Sequence, residues 1–270
     1  MLDTATVGFI GGGNMGEALI RGVLQAGILP AQRVVVFDVS RERMEHLQAV
    51  YGVVGTETLA ACAQAARVLV LAVKPQNMAD VLNDLADCVA HRPLIISIAA
   101  GVPLRTMEDA LPPGIPVVRV MPNTPALVLQ GASALARGRH ADDTHMEAAL
   151  TLFRAVGIAH ELDEKLLDAV TGLTGSGPAY VLHFLESLID GGVLMGIPRP
   201  VARDLVVQTV LGTVRMVQET GRHPSELKDM VTSPGGTTIH GLEVLEKRGV
   251  RGAVMGAVRA ATERSKALGS

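Results

Sequence analysis

Val7-Gly8-Phe9-Ile10-Gly11-Gly12-Gly13-Asn14-Met15-Gly16 is a short apolar run that ends in three glycines and leads into a helical stretch. Gly11, Gly13 and Gly16 are spaced G-x-G-x-x-G, and they stand where a strand hands over to a helix. In that setting each glycine has a physical reason. Gly11 permits the tight turn, Gly13 lets a pyrophosphate approach the backbone, and Gly16 lets the helix sit close to the strand, with the positive end of the helix facing the anion. A second apolar run ends at Asp38, 22 positions after Gly16, where an acidic residue meets the adenosine ribose. The stretch therefore reads as the start of a Rossmann dinucleotide-binding domain, with Gly11, Gly13, Asn14, Met15 and Gly16 at the cofactor.

Working outward, apolar β-branched runs recur at 6–10, 33–38, 68–73, 94–98 and 117–121, separated by stretches of helical periodicity. Such alternation defines an α/β fold with a parallel sheet covered on both faces. A weaker strand near 132–135, a helix over 143–155 stopped at Gly157, and a last run at 158–162 complete this part. From about Asp163 the strand pattern ceases, and helical stretches at 177–195, 200–220 and 250–268 take over. The first of these is apolar around most of its circumference and is expected to be buried against other helices. Two domains follow from the change of texture: an N-terminal dinucleotide-binding domain over 1–162 and an all-helical domain over 163–270.

In open α/β sheets ligands bind beyond the carboxyl ends of the strands. Three loops qualify: Ala72-Val73-Lys74-Pro75, Ser97-Ile98-Ala99-Ala100-Gly101 and Met121-Pro122-Asn123-Thr124-Pro125. The small residues Ala99, Ala100 and Gly101 admit a flat ring, and Asn123 can hydrogen-bond a carboxamide or a ribose. The choice of dinucleotide stays open, because Asp38 suits the 2′-hydroxyl of NAD whereas Ser40, Arg41 and Arg43 suit the 2′-phosphate of NADP. In the helical half, 171–180 and 229–238 are rich in Gly, Ser and Thr, a composition able to gather several backbone N–H groups around a carboxylate.

Composition narrows the function classes. The 270 residues are 48% hydrophobic and 19% charged, which places the chain among folded proteins. Its longest unbroken apolar runs, such as the six residues 68–73, are far shorter than a bilayer span. The N-terminus lacks a basic leader segment, so a cytoplasmic location is expected. The net charge of −3 is spread evenly, and there are six aromatic residues (4 Phe, 2 Tyr), too few for a base-stacking surface, so nucleic acid is not an expected partner. Cys62 and Cys88 have neither disulfide-framework nor metal-ligand spacing. They are expected as buried thiols on helices.

The glycine motif, Ala72-Val73-Lys74-Pro75, Met121-Pro122-Asn123-Thr124-Pro125, Thr174-Gly175-Ser176-Gly177-Pro178-Ala179-Tyr180 and above all Ser233-Pro234-Gly235-Gly236-Thr237-Thr238-Ile239 together resemble the pyrroline-5-carboxylate reductase family over nearly the whole chain. The resemblance implies a Rossmann domain followed by an all-helical dimerisation and substrate domain. It also implies reduction of 1-pyrroline-5-carboxylate to L-proline with NADPH, or NADH as an alternative. Cofactor contacts would fall to Gly11, Gly13, Asn14, Met15, Gly16, Asp38, Ser40, Arg41, Ala72, Val73, Lys74, Pro75, Ala99, Ala100, Gly101 and Asn123. Substrate contacts would fall to Val231, Ser233, Gly235, Gly236, Thr237 and Thr238, with the Thr238 hydroxyl orienting the imine nitrogen. The resemblance further implies a homodimer as the minimum unit, in which the nicotinamide and the Ser-Pro-Gly-Gly segment come from different subunits, and it leaves assembly of dimers into rings open.

His183 and His240 read more readily as packing and structural residues than as ligands or proton donors. Alternatives are a reductase of another cyclic imine, a β-hydroxyacid dehydrogenase and a non-catalytic redox sensor. A hydroxyacid dehydrogenase needs a general base, and Lys165, the only lysine between Lys74 and Lys228, precedes the first glycine segment rather than facing it.

Overall fold

The computed structural model describes residues 1–269, which divide into two compact units: residues 1–176 with those from 260 onward, and residues 177–259. The first unit is built on a sheet of eight strands: β1 (Val7–Ile10), β2 (Val34–Phe37), β3 (Val54–Gly55), β4 (Val68–Leu71), β5 (Leu94–Ser97), β6 (Val117–Met121), β7 (Gly131–Arg137) and β8 (Gly157–Glu161). Their order is β3-β2-β1-β4-β5-β6-β7-β8, and every neighbouring pair is parallel except β6 and β7. The chain order reverses at β1, which lies between β2 and β4. That is the switch point beside which α/β sheets bind ligands.

Runs such as Val-Leu-Val-Leu in β4 are apolar without alternation because both faces of the sheet are covered. Val7, Phe9, Val34, Val36, Val68 and Val70 enter one core, and Ile10, Val35, Leu69 and Leu71 enter the other. Helices α1 (Asn14–Gln25), α2 (Arg41–Tyr51), α3 (Leu59–Ala65), α4 (Met78–Ala86), α5 (Leu104–Ala110) and α6 (Asp143–Arg154) provide the covering. Short polar side chains start several of them: the Ser40 hydroxyl accepts the Arg43 N–H at 3.3 Å, and Asp142 and His145 form a reciprocal capping box on α6.

Two expectations need correction here. Gly157 does not stop α6, which ends at Arg154; it begins β8 with φ +148, and a Cβ there would stand 2.0 Å from the Gly131 carbonyl oxygen. Its lack of a side chain thus serves strand pairing. Cys62 is buried on α3, and burial pushes its thiol up to about 11, whereas Cys88 is half-buried just beyond α4.

β6 ends near a charged pair that ties the sheet to the segment beyond it. Arg119 is 8% exposed and donates to Glu164 Oε1 at 2.9 Å, while the same oxygen accepts the Leu104 N–H that opens α5 at 2.7 Å. Removing the carboxylate strands a nearly buried guanidinium and an unsatisfied helix N–H. Glu164→Ala should therefore cost about 2 kcal/mol after allowance for the partial exposure of Glu164. A lower urea midpoint at unchanged slope is the expected reading, and an unchanged midpoint would discard this account.

Past β8 the first unit continues through α7 (Leu167–Val170) and a π-helical stretch over Thr171–Gly175. The expectation that 171–180 gathers backbone N–H groups around an anion is overturned. The stretch stays helical, and its Thr171 and Thr174 hydroxyls donate back to the Leu167 and Val170 carbonyls at 2.9 and 3.0 Å. The second unit contains α8 (Gly177–Leu194), α9 (Arg199–Thr220), α10 (Pro224–Met230), α11 (Thr237–Lys247) and the beginning of α12 (Val250–Leu268). α8 and α9 pack on each other, but no residue of α8 is buried within the chain: Leu182 is 63% and Phe184 47% exposed. Burial of α8 was expected from its apolar circumference, and one chain has too few neighbouring helices to cover it. No helix among the described residues is long and apolar enough to cross a membrane.

Candidate active site

The turn after β1 carries the geometry that a dinucleotide needs. Gly11 has φ +98, and a Cβ there would stand 2.6 Å from the Ala72 carbonyl oxygen at the end of β4. Gly16 faces the turn from α1, where a Cβ would stand 2.6 Å from the Gly11 oxygen. Gly13 is the residue before α1, and a Cβ on it would meet nothing within 4 Å. The backbone at Gly13 thus lies open, and the first N–H groups of α1 beyond it lack helical acceptors.

Two connected cavities follow the carboxyl edge of the sheet and share Gly13, Ala72, Val73 and Lys74. One, of about 460 Å³, is lined by Asn14, Met15, Pro75, Ile98, Ala99, Ala100, Met121, Asn123, Thr124 and Gly175 among others. The other, of about 590 Å³, runs past Gly11, Phe37, Asp38, Val39, Leu59, Asn77, Asp80, Val81 and Asp84. An open backbone at a helix start, with a lysine at the junction and an acid at the end of β2, fits a dinucleotide laid across the switch point.

Of the sixteen positions expected at the cofactor, Gly11, Gly13, Asn14, Met15, Asp38, Ala72, Val73, Lys74, Pro75, Ala99, Ala100 and Asn123 line this cleft. Gly16 lies beneath the turn. Ser40 caps α2, Arg41 points outward in an ion pair with Glu45 at 2.9 Å, and Gly101, with φ +75, lies against Gly269. Asn123 is largely committed to structure. Its Oδ1 accepts the Ala132 N–H at 2.8 Å, and its Nδ2 donates to the Thr174 carbonyl at 3.1 Å, leaving one N–H and one lone pair.

Asp38 is held by both oxygens, accepting the Gly12 N–H at 2.7 Å and the Ser40 N–H at 2.8 Å. Behind the turn, Arg43 donates to the Gly12 carbonyl and to Glu17, which also accepts from Tyr51 at 2.8 Å. Burial pushes the Glu17 carboxyl up, but the hydrogen bonds from Tyr51, Arg43 and His46 outweigh it and hold the group below its ordinary value. Sequence reasoning missed this network, along with Asp80, Asp84 and Asn77 on the cleft wall. The i,i+4 spacing of Asp80 and Asp84 on one face of α4 was the available signal.

In the second unit the segment after α10 turns through Gly235, φ +66, and Gly236 becomes the residue before α11. Thr237, Thr238 and Ile239 therefore occupy its first turn, where backbone N–H groups have no helical acceptor. A Cβ at Gly236 would stand 2.2 Å from Ser233 Oγ, so the serine hydroxyl sits directly against this glycine. Ser233, Gly235 and Thr237 are exposed and Thr238 is half-buried, while Val231 lies between α10 and the turn at 60% exposure. The turn and helix start form an anion-binding shape with a hydroxyl on each side. His240 lines a groove with Lys228, Glu243 and Gly235 of the turn itself, and His183 lines an apolar cavity with Tyr180 and Phe184.

A doubly wound sheet with an open glycine turn at its switch point defines a dinucleotide-dependent oxidoreductase, and this chain is one that uses NAD(P)H. Residues 6–101 match the family described as NADP oxidoreductase coenzyme F420-dependent, and residues 164–268 match the family described as pyrroline-5-carboxylate reductase dimerisation. The chain is 48% identical over 268 residues to the pyrroline-5-carboxylate reductase of Methanosarcina acetivorans, covering 99% of each. Among solved structures it resembles the pyrroline-5-carboxylate reductase of Coxiella burnetii, at 35% identity and TM-score 0.95 over 99% of this chain and 100% of that one. It also resembles the Plasmodium falciparum pyrroline carboxylate reductase with NADP bound, at 36% identity and TM-score 0.89 over the whole of both chains. The chain belongs to the pyrroline-5-carboxylate reductase family.

Proposed function

We infer that the protein reduces the C=N bond of 1-pyrroline-5-carboxylate to give L-proline, the last step of proline biosynthesis. The observation that carries this reading is the Ser233–Thr238 turn, where Gly235 is exposed, the Gly236 N–H is taken by the Ser233 carbonyl at 3.1 Å, and the first-turn N–H groups of α11 lack helical acceptors beside hydroxyls. A substrate carboxylate suits those N–H groups, with Ser233, Gly235, Gly236 and Thr237 as its cradle and Val231 against the ring. The protonated imine nitrogen donates to the Thr238 hydroxyl oxygen. Two anchors fix a small ring in one orientation, which is the main service this chemistry needs. When bound, the nicotinamide supplies the hydride that the imine carbon accepts. The electron pair of the C=N bond passes to nitrogen, which already carries a proton, so no acidic side chain is required.

The cofactor residues in this reading are those on the cleft wall, with Lys74 beside the phosphates. Lys165 does not compete for the part of a base: it is exposed and its ammonium pairs with Asp163 at 2.9 Å. The exposed apolar side chains of α8 and α9, including Leu182, Phe184, Leu205 and Leu211, support a homodimer as the working unit, since isolated soluble chains rarely expose so much contiguous apolar surface.

Steady-state oxidation of NAD(P)H with 1-pyrroline-5-carboxylate, and with its six-membered homologue as control, tests the reading. A higher kcat/KM for the five-membered imine is expected. Binding of nucleotide without turnover of either imine would remove the substrate assignment while leaving the nucleotide site in place.

A further inference from the structure

We propose that Asp38 makes this enzyme select NADH over NADPH. The inference rests on the NAD(P)H reading of the cleft and concerns which ribose that cleft accepts. The Asp38 carboxylate lies at the carboxyl end of β2 on the cavity wall, and the Gly12 and Ser40 N–H groups hold it at 2.7 and 2.8 Å. A carboxylate has about four acceptor positions, so about two remain for the 2′- and 3′-hydroxyls of an unphosphorylated ribose. Because both oxygens are already fixed, the acceptor is pre-organised for those hydroxyls.

A 2′-phosphate brings roughly −1.5 to −2 charges to the same place. The cavity offers it little compensation. Asp80 and Asp84 are on the wall with Asp38, and among the described residues the only cation lining it is Lys74, in the part shared with the neighbouring cavity. Neither nearby arginine lines the cavity. Arg43 is engaged by the Gly12 carbonyl and by Glu17, and Arg41, with its side chain 89% exposed, pairs with Glu45. Releasing Arg43 would break its bonds to the glycine turn and leave Glu17 short of a donor, so its engagement and the negative wall act in the same direction.

The test compares Kd for NADH and NADPH without imine, and kcat/KM for both with a saturating imine, at one fixed ionic strength. The expected result is a preference for NADH of about tenfold or more by both measures, equivalent to 1.4 kcal/mol. Asp38→Asn, which removes the charge at nearly constant size, should narrow that ratio by about tenfold. Asp38→Ser serves as a second variant if the first folds poorly, and Arg41→Ala should leave the ratio in place. A parent enzyme that prefers NADPH, an unchanged ratio in both Asp38 variants, or a tenfold loss of NADPH binding in Arg41→Ala would each overturn the proposal. Tighter NADH binding without imine turnover would uphold it and reject the proposed substrate. Imine reduction with NADPH as the better donor would do the reverse.

Discussion

Gly13→Val should weaken NAD(P)H binding by about a hundredfold or more, equivalent to about 2.7 kcal/mol, while the protein still folds. Gly13 has φ −62 and ψ −178, a conformation open to any L-residue, and a Cβ there meets nothing within 4 Å. The protein therefore has space for the side chain, but that space is where a pyrophosphate approaches the start of α1. The structural cost is limited to a poorer helix start, about 1 kcal/mol. Gly11 provides the contrast: at φ +98, with a Cβ 2.6 Å from a backbone oxygen, even alanine is expected to fail through the fold. Titration of NADH into the purified Gly13→Val protein, beside a thermal melt, checks the prediction. A Kd within about threefold of the parent would mean that no phosphate passes this glycine.

Thr238→Ala should lower kcat/KM for the imine by about tenfold or more, about 1.4 kcal/mol of transition-state stabilisation, with NAD(P)H binding unchanged. The residue occupies the first turn of α11, and among the described residues its hydroxyl makes no side-chain hydrogen bond, so its loss orphans no protein group. Thr238→Ser keeps the hydroxyl and should recover most of the rate, an outcome that a purely packing role for the threonine methyl would not produce. Equal rates for parent and alanine variant at subsaturating imine would remove Thr238 from the site.

Gly13 and Thr238 both sit in short segments that are legible in the order of the amino acids. The glycine spacing and the apolar runs report contacts between residues close in the chain, and the eight-stranded sheet keeps five of those runs as its central strands. Less was legible at the edges. β3 has two residues and carries no periodicity, and the antiparallel placement of β7 depends on pairing Val118–Met121 with Ala134–Arg137, which no local pattern encodes. The glycine-rich stretch 171–175 misled for a related reason. Its composition suits a turn, but the Thr171 and Thr174 hydroxyls are satisfied by carbonyls four residues back, and a Cβ at Gly175 would stand 2.7 Å from Met121 Cε.

From the sequence alone came the class of fold and the nucleotide turn, because each is a local pattern whose spacing determines its geometry, whereas composition marked 229–238 no more strongly than 171–180 and the family resemblance singled out Ser233–Thr238. The tertiary structure decided which polar groups are already in use. It bonds Asp38 to Gly12, Arg43 to Glu17 and Asn123 to Thr174, pairs separated by 26, 26 and 51 positions. It also brings Asp80 and Asp84 of α4 onto the wall that holds Asp38. A residue type states what a side chain can donate or accept, but only the folded chain states what remains for a ligand. In the proposal made for Asp38, that remainder is what selects the form of the dinucleotide.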